Sequence, residues 1–223
     1  MNKRKIYIDR LFPQVNEMKL QYKLKINEES LMYISIPCDA DQITKIAFNH
    51  MMKYVPNAGH IIITDATAGV GGNTLSFAKK FSFVNAIEID CERFNYLSNN
   101  VRAYHLNNVK LYNLDCQKLI PQIMDHNVIF IDPPWGGKNY KNKTNIRLLL
   151  SDTSIEDICI RFFHNDSIKL IILKLPKNYD IEYVYKKIKT NIYRKIYFYE
   201  LPKMSVLVIE NGPYALPCTS SLA

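Results

Sequence analysis

Asp132, Pro133, Pro134 and Trp135 stand together at the end of an apolar run and just before Gly136 and Gly137, in the segment IFIDPPWGGKNY (129–140). Their chemistry suits a planar base that carries an amine. An exocyclic amine on a nucleobase is a poor nucleophile because its lone pair is delocalised into the ring. Acceptors from Asp132 and the Pro133 carbonyl can hold the N–H groups and turn the lone pair toward an electrophilic methyl carbon. The proton leaves as or after positive charge develops, so orientation and electrostatics do the work and no strong base is needed. Pro134 restrains Pro133, and neither donates a competing N–H. Trp135, the only tryptophan, supplies a stacking face whose quadrupole favours a cationic base. A sole tryptophan is more often core, but this one follows a strand-ending carboxylate and precedes two glycines, which puts it in a loop.

The second constellation is DATAGVGGNT (65–74), which follows another apolar run and opens a helical pattern. Asp65, Thr67, Ala68, Gly69, Gly71, Asn73 and Thr74 are its candidate cofactor contacts. Glycines there let backbone amides approach a ligand, and the helix N-terminus favours a carboxylate or phosphate. Glu88 ends the next strand, where an acidic side chain can accept both ribose hydroxyls of a nucleoside cofactor. NAD and S-adenosylmethionine share this grammar. The glycines are not spaced GxGxxG, and Asp65 precedes them at the strand end, which suits the amino and sulfonium charges of S-adenosylmethionine; S-adenosylhomocysteine would be the product. Asp115, ending the third strand, is placed to accept the adenine amino group, with an ordinary surface carboxylate as the alternative.

These residues need a frame, and from residue 60 onward short apolar runs alternate with helical patterns, the signature of a parallel sheet covered by helices. Strands are expected at 60–65, 84–89, 109–114, 127–132, 168–175, 191–199 and 204–210. Helices fit near 73–80, 92–105, 116–125, 154–164 and 180–190. Seven strands with a long final pair describe an α/β, Rossmann-like class I methyltransferase: a mostly parallel sheet with helices on both faces, its last strand inserted antiparallel. Pro176, Lys177 and Asn178 fall at a strand end, the edge that faces the ligand crevice in such sheets.

The domain is expected over 59–223, preceded by a small helical extension over 1–58. In that extension Asp39 and Gln42 read as a capping box for a helix over about 40–54, closed by Pro56 and Gly59. Before it lies a basic, aromatic stretch in which Tyr22, Lys23 and Lys25 are available to an anionic ligand, or form a solvated face. The tail 211–223 reads as loop.

At 223 residues one sizeable core is expected, and the chain is read as a monomer. No run of eighteen apolar residues exists, and the N-terminus opens with charges instead of an apolar signal core. Neither membrane span nor secretion is indicated, so an intracellular protein, cytoplasmic or nuclear, is expected. The five cysteines lack CxxC or CxxH spacing, which argues against zinc and disulfides; no metal is expected. The net charge of +8 favours a polyanionic partner. Yet 22 Lys, 21 Asn and 28 Ile against 7 Arg read as the codon bias of an AT-rich genome, that of a parasite or a large DNA virus, so charge is weak support for nucleic acid.

DPPWGGKNY, with DATAGVGGNTLSFA before it and AIEID between, resembles the trimethylguanosine synthase family of RNA cap guanine-N2 methyltransferases. The likeness covers about 65–178, where LKLPKN resembles the family's Leu-Pro-Arg-Asn, and extends more faintly to 10–12 and 31–37. It implies that Trp135 stacks on 7-methylguanine and that Tyr140, Lys177 and Asn178 contact the cap nucleoside and its phosphates. The implied partner is 7-methylguanosine-capped RNA or a cap analogue. Two departures accompany it: Lys177 replaces the family's Arg, losing bidentate phosphate contact, and the family's Ser-Val-Thr-Pro reads Ile34-Ser35-Ile36-Pro37, from which no contact is carried over. Adenine-N6 methylation is a competing expectation, since DPPW also serves there, although in those RNA enzymes the motif order resembles a permuted one. A catalytically silent cap-binding protein is a third; against it, Asp65, Gly69, Gly71, Glu88 and Asp132 are all present.

Overall fold

The computed structural model describes residues 8, 10–14, 23–55, 60–189 and 194–211. Tyr22, Pro56 and Gly59, and the tail beyond 211, lie outside the described residues. Among the described residues the first complete elements are the short α1 (Ser30–Tyr33) and α2 (Pro37–Met51). Then alternate β1 (Ile62–Asp65), α3 (Gly72–Ala78), β2 (Phe83–Ile87), α4 (Cys91–Ala103), β3 (Val109–Tyr112), α5 (Cys116–Leu119) and β4 (Val128–Ile131). A two-residue hairpin, β5 (Leu149–Leu150) and β6 (Thr153–Ser154), precedes α6 (Ile155–Phe162), β7 (Leu170–Leu175), α7 (Ile181–Lys189), β8 (Arg194–Glu200) and β9 (Ser205–Asn211).

The seven-stranded sheet runs β3-β2-β1-β4-β7-β9-β8. Neighbours from β3 to β7 pair parallel, and β9 pairs antiparallel with β7 and β8. This is the expected Rossmann-like architecture. Strands covered on both faces read as continuous apolar runs, and β4 and β7 are buried at every position. Their side chains alternate between layers. Ile129, Ile131, Ile171 and Leu173 pack with α6 and α7, while Val128, Phe130, Leu170 and Ile172 pack with α2 and α3. Sequence order reverses at β1 and β4, which opens the crevice at their C-terminal ends.

Two local expectations are corrected. The capping box at Asp39 and Gln42 does not form: α2 starts three residues earlier, with Ile36 as N-cap and no side-chain cap bond. Pro37 explains this, because its fixed φ and missing N–H suit the first helical position, leaving Asp39 inside the first turn. Likewise the helix expected over 116–125 ends at Leu119 and continues as a 3-10 turn over Ile120–Gln122, where Pro121 cannot donate an α-helical bond.

Helix α2 is tied to the sheet at its far end. His50 Nδ1 lies 2.6 Å from Glu210 Oε1 on β9, and Lys53 Nζ and Tyr54 OH donate to the same carboxylate at 3.0 Å each. Burial would raise the Glu210 carboxyl, but these bonds outweigh it and hold it below its ordinary value. Among the described residues no helix is long and apolar enough to cross a membrane.

Candidate active site

Two loops meet at the crevice, and Thr67 joins them. Its hydroxyl accepts the Asp132 backbone N–H at 2.8 Å, so the turn after β1 fixes the residue that leaves β4. Around this junction stand Asp65, Glu88 and Asp132, each at the end of its strand. Asp65 is fully buried beneath the turn; its Oδ2 accepts the Thr74 hydroxyl at 2.7 Å and its Oδ1 the Thr67 N–H at 3.4 Å. Burial pushes its carboxyl up to about 7; the two bonds oppose this, and the charges of Asp132 and Glu88 add to it.

Glu88 Oε2 accepts the Gly69 N–H at 2.8 Å, and Oε1 accepts from the Asp90 backbone and the Arg93 guanidinium. Gly69 and Gly71 both take positive φ, the turn that the motif requires, and Ala68 joins the loop to β2 through the Ile87 carbonyl. Asp115 caps α5 by accepting the Gln117 N–H at 2.9 Å. Beside Glu88 and Asp115, Ile89 and Leu114 are 61% and 52% exposed, and Asn113 Nδ2 pins that rim through the Glu88 and Ile89 carbonyls. Two exposed apolar side chains flanking a carboxylate can clamp a planar base.

On the other side, Asp132 Oδ2 meets Lys174 Nζ at 2.6 Å. Burial raises the Asp132 carboxyl and Lys174 opposes the rise. Trp135 is half-buried, edge-to-face with Tyr140 at 5.2 Å between centroids, and Lys174 Nζ stands 5.4 Å from the Trp135 ring centroid. Gly136 and Gly137 hold φ of +89° and +72° with open space where a Cβ would be, so the reversal of the chain, not crowding, calls for glycine there. Asn178 donates to the Tyr140 and Lys143 carbonyls and so pins the loop that carries Tyr140. Lys177 does not join the cluster: it is exposed and pairs with Glu200 at 2.9 Å.

The sequence family described as RNA cap guanine-N2 methyltransferase matches residues 60–212. The chain belongs to that family. An uncharacterized protein of Acanthamoeba polyphaga mimivirus is 36% identical over 219 residues, 90% of this chain and 84% of that one. The trimethylguanosine synthase of Schizosaccharomyces pombe is 35% identical over 89 residues, 37% of each chain; the matched region is thus about a third of that relative. In fold, the methyltransferase resembles a precorrin-6y C5,15-methyltransferase from Geobacter metallireducens, with a TM-score of 0.60 at 10% identity over 86% of this chain and 95% of the other.

Three residues of this methyltransferase escape sequence reasoning because their partners are distant in the chain. Lys174 reads as one more position of β7. Asn100 on α4 accepts the Lys25 N–H and donates to the Lys25 and Val70 carbonyls, docking the extension onto the glycine loop, while the Lys23 and Lys25 side chains stay exposed. Gly72 belongs to the glycine loop, yet a Cβ there would lie 2.8 Å from Ile34 Cγ1 and 2.9 Å from the Ser35 carbonyl oxygen. Its smallness admits the extension, which Asn73 also holds by donating to the Ser35 hydroxyl at 3.0 Å. Gly72→Ala is therefore expected to cost about 1–3 kcal/mol through overpacking against backbone, read as a lower midpoint in denaturant unfolding. An unchanged midpoint would mean that the extension is not seated there.

Proposed function

We infer that this methyltransferase moves a methyl group from S-adenosylmethionine to the exocyclic N2 amine of 7-methylguanosine, in an RNA cap or a cap-like nucleotide. The observation that carries the reading is the convergence of Asp132 and Trp135 on one turn, an acceptor for an amine beside a face for a cationic ring, in a chain of the cap guanine-N2 family.

The residues present fit a nucleoside cofactor. Glu88 Oε2, which accepts only the Gly69 N–H, keeps a lone pair for a ribose hydroxyl, while Oε1 is already spent on Asp90 and Arg93. Ile89 and Leu114 offer apolar faces, Asp115 keeps an acceptor for an adenine amine, and the loop at Gly69 has open space where a Cβ would be. When bound, S-adenosylmethionine supplies the methyl group and a sulfonium leaving group. Asp132 and the Pro133 carbonyl hold the acceptor amine and aim its lone pair. Trp135 stacks on the base, Tyr140 borders it, and Asn178 keeps Tyr140 in place. Lys177, in an exposed ion pair of little worth, is free to turn toward the cap phosphates. Residues 1–58 would serve as the RNA-side extension of a monomeric catalytic unit over 59–223, with RNA affinity falling as salt rises. Its similarity to a mimivirus protein fits an origin in a large DNA virus, with the activity exercised where capped RNA lies, in cytoplasm or nucleus.

Asp65 makes the cofactor step pH-dependent. A cationic ligand favours its ionised form, so affinity is full above about 7 and is lost as pH falls through that value. Calorimetric titration is expected to show S-adenosylmethionine binding about tenfold weaker at pH 6 than at pH 8, with the dependence flattened in Asp65→Asn. The ligand-free protein follows the opposite sign: its folded value exceeds the ordinary 3.8, so stability declines as pH rises between the two.

Mass analysis of nucleosides recovered after reaction with 7-methylguanosine-capped RNA tests the assignment. N2-methylated 7-methylguanosine is expected. Recovery of N6-methyladenosine without it would refute the acceptor, and absence of any S-adenosylmethionine binding would refute the donor.

A further inference from the structure

Lys174 is the only charged residue of β7 and is 3% exposed. A buried ammonium costs free energy unless its charge and donors are answered. The parallel register pairs Ile131 with Leu173, which brings the next residues, Asp132 and Lys174, side by side at the strand ends. One N–H of Lys174 goes to Asp132 Oδ2. An ammonium has three donors, and the other two find no acceptor among the described residues. The Trp135 Nε1 is also buried without a partner. The unspent donors of Lys174 therefore lie beside the carboxylate and 5.4 Å from the centroid of the ring that the reading above gives to the base.

We propose that Lys174 sets the base specificity of this site by donating to a ring carbonyl on the edge that carries the reacting amine. The inference rests on the acceptor assignment above. The edge of guanine runs amine, N–H, carbonyl: two donors for Asp132 Oδ1 and one acceptor for Lys174. Adenine offers no carbonyl there, so with adenine that donor of the buried Lys174 stays unanswered. Such unmet groups discriminate far more strongly than a lost apolar contact. Because Lys174 and Asp132 together are neutral, the lysine does not oppose a positively charged base on Trp135. A lysine serving only to neutralise Asp132 would be indifferent to the carbonyl, and this separates the two roles.

The test compares kcat/KM of the full chain for 7-methylguanosine diphosphate and for its 6-thio analogue, which keeps the amine, the ring N–H and the cationic ring but replaces the carbonyl oxygen by sulfur, a much weaker acceptor. Wild type is expected to prefer the guanine by about 10- to 100-fold. In Lys174→Met the preference is expected to collapse to within about threefold, with S-adenosylmethionine binding retained as the control for folding; Lys174→Arg keeps most of it. A preference preserved in Lys174→Met overturns the proposal. So does a wild type that treats the two bases alike, whatever the variants do. A wild type that binds S-adenosylmethionine but methylates neither base overturns the acceptor assignment itself.

Discussion

Trp135→Ala abolishes methyl transfer to 7-methylguanosine diphosphate, by at least about 100-fold in kcat/KM, and leaves S-adenosylmethionine binding nearly unchanged. Stacking on an aromatic side chain contributes about 1–3 kcal/mol per base, and a cation over the ring adds up to about 2 kcal/mol when desolvated. Loss of alignment multiplies the effect, because an amine out of line with the methyl group reacts slowly even when bound. The cofactor residues Glu88 and Gly69 bond each other and do not touch Trp135, so donor binding is spared. Trp135 does pack against both main core clusters, so some loss of stability accompanies the change. Trp135→Phe, which keeps a stacking face, is expected to retain intermediate activity. Transfer surviving in Trp135→Ala would mean that the base stacks elsewhere.

Asp132→Asn lowers kcat by about 10²- to 10³-fold while moving KM for the cap nucleotide little, since the charge matters most as the amine becomes cationic in the transition state. The side chain keeps its size but has one acceptor fewer, so the charge is removed together with the bond to either Lys174 or the amine. Lys174 is left without its ion-pair partner; the stability cost stays below the about 3–5 kcal/mol of a fully buried pair because Asp132 is partly open to solvent. In wild type, burial raises the Asp132 carboxyl against the pull of Lys174. The rate is therefore expected to fall on acidification at a pH above the ordinary carboxylate value. Single-turnover measurements across pH with both forms separate this from the Asp65 effect, which acts on cofactor affinity.

Much of the frame is legible in the chain because doubly covered parallel strands must be apolar almost throughout: VIFI and LIILKL, with Lys174 as the one exception, announce β4 and β7. The turn residues are legible too, since DATAGVGG and DPPWGG collect the glycines that positive φ demands. What escapes is whatever depends on who lies beside whom. Lys174 gains meaning only when β7 is placed next to β4, and Gly72 only when residues 34–35 are laid over it. Pro37 overrides the capping box at Asp39 because local rules compete and sequence alone does not rank them. The β5–β6 hairpin is two residues per strand, too short to leave a pattern.

The central claim is that a cationic guanine is recognised before its N2 amine is methylated, and labelled S-adenosylmethionine incubated separately with GTP and 7-methylGTP tests it most directly. The account predicts label on 7-methylGTP and essentially none on GTP. Equal labelling of the two would contradict the role given to Trp135, and no labelling of either by protein that binds S-adenosylmethionine would contradict the acceptor site altogether.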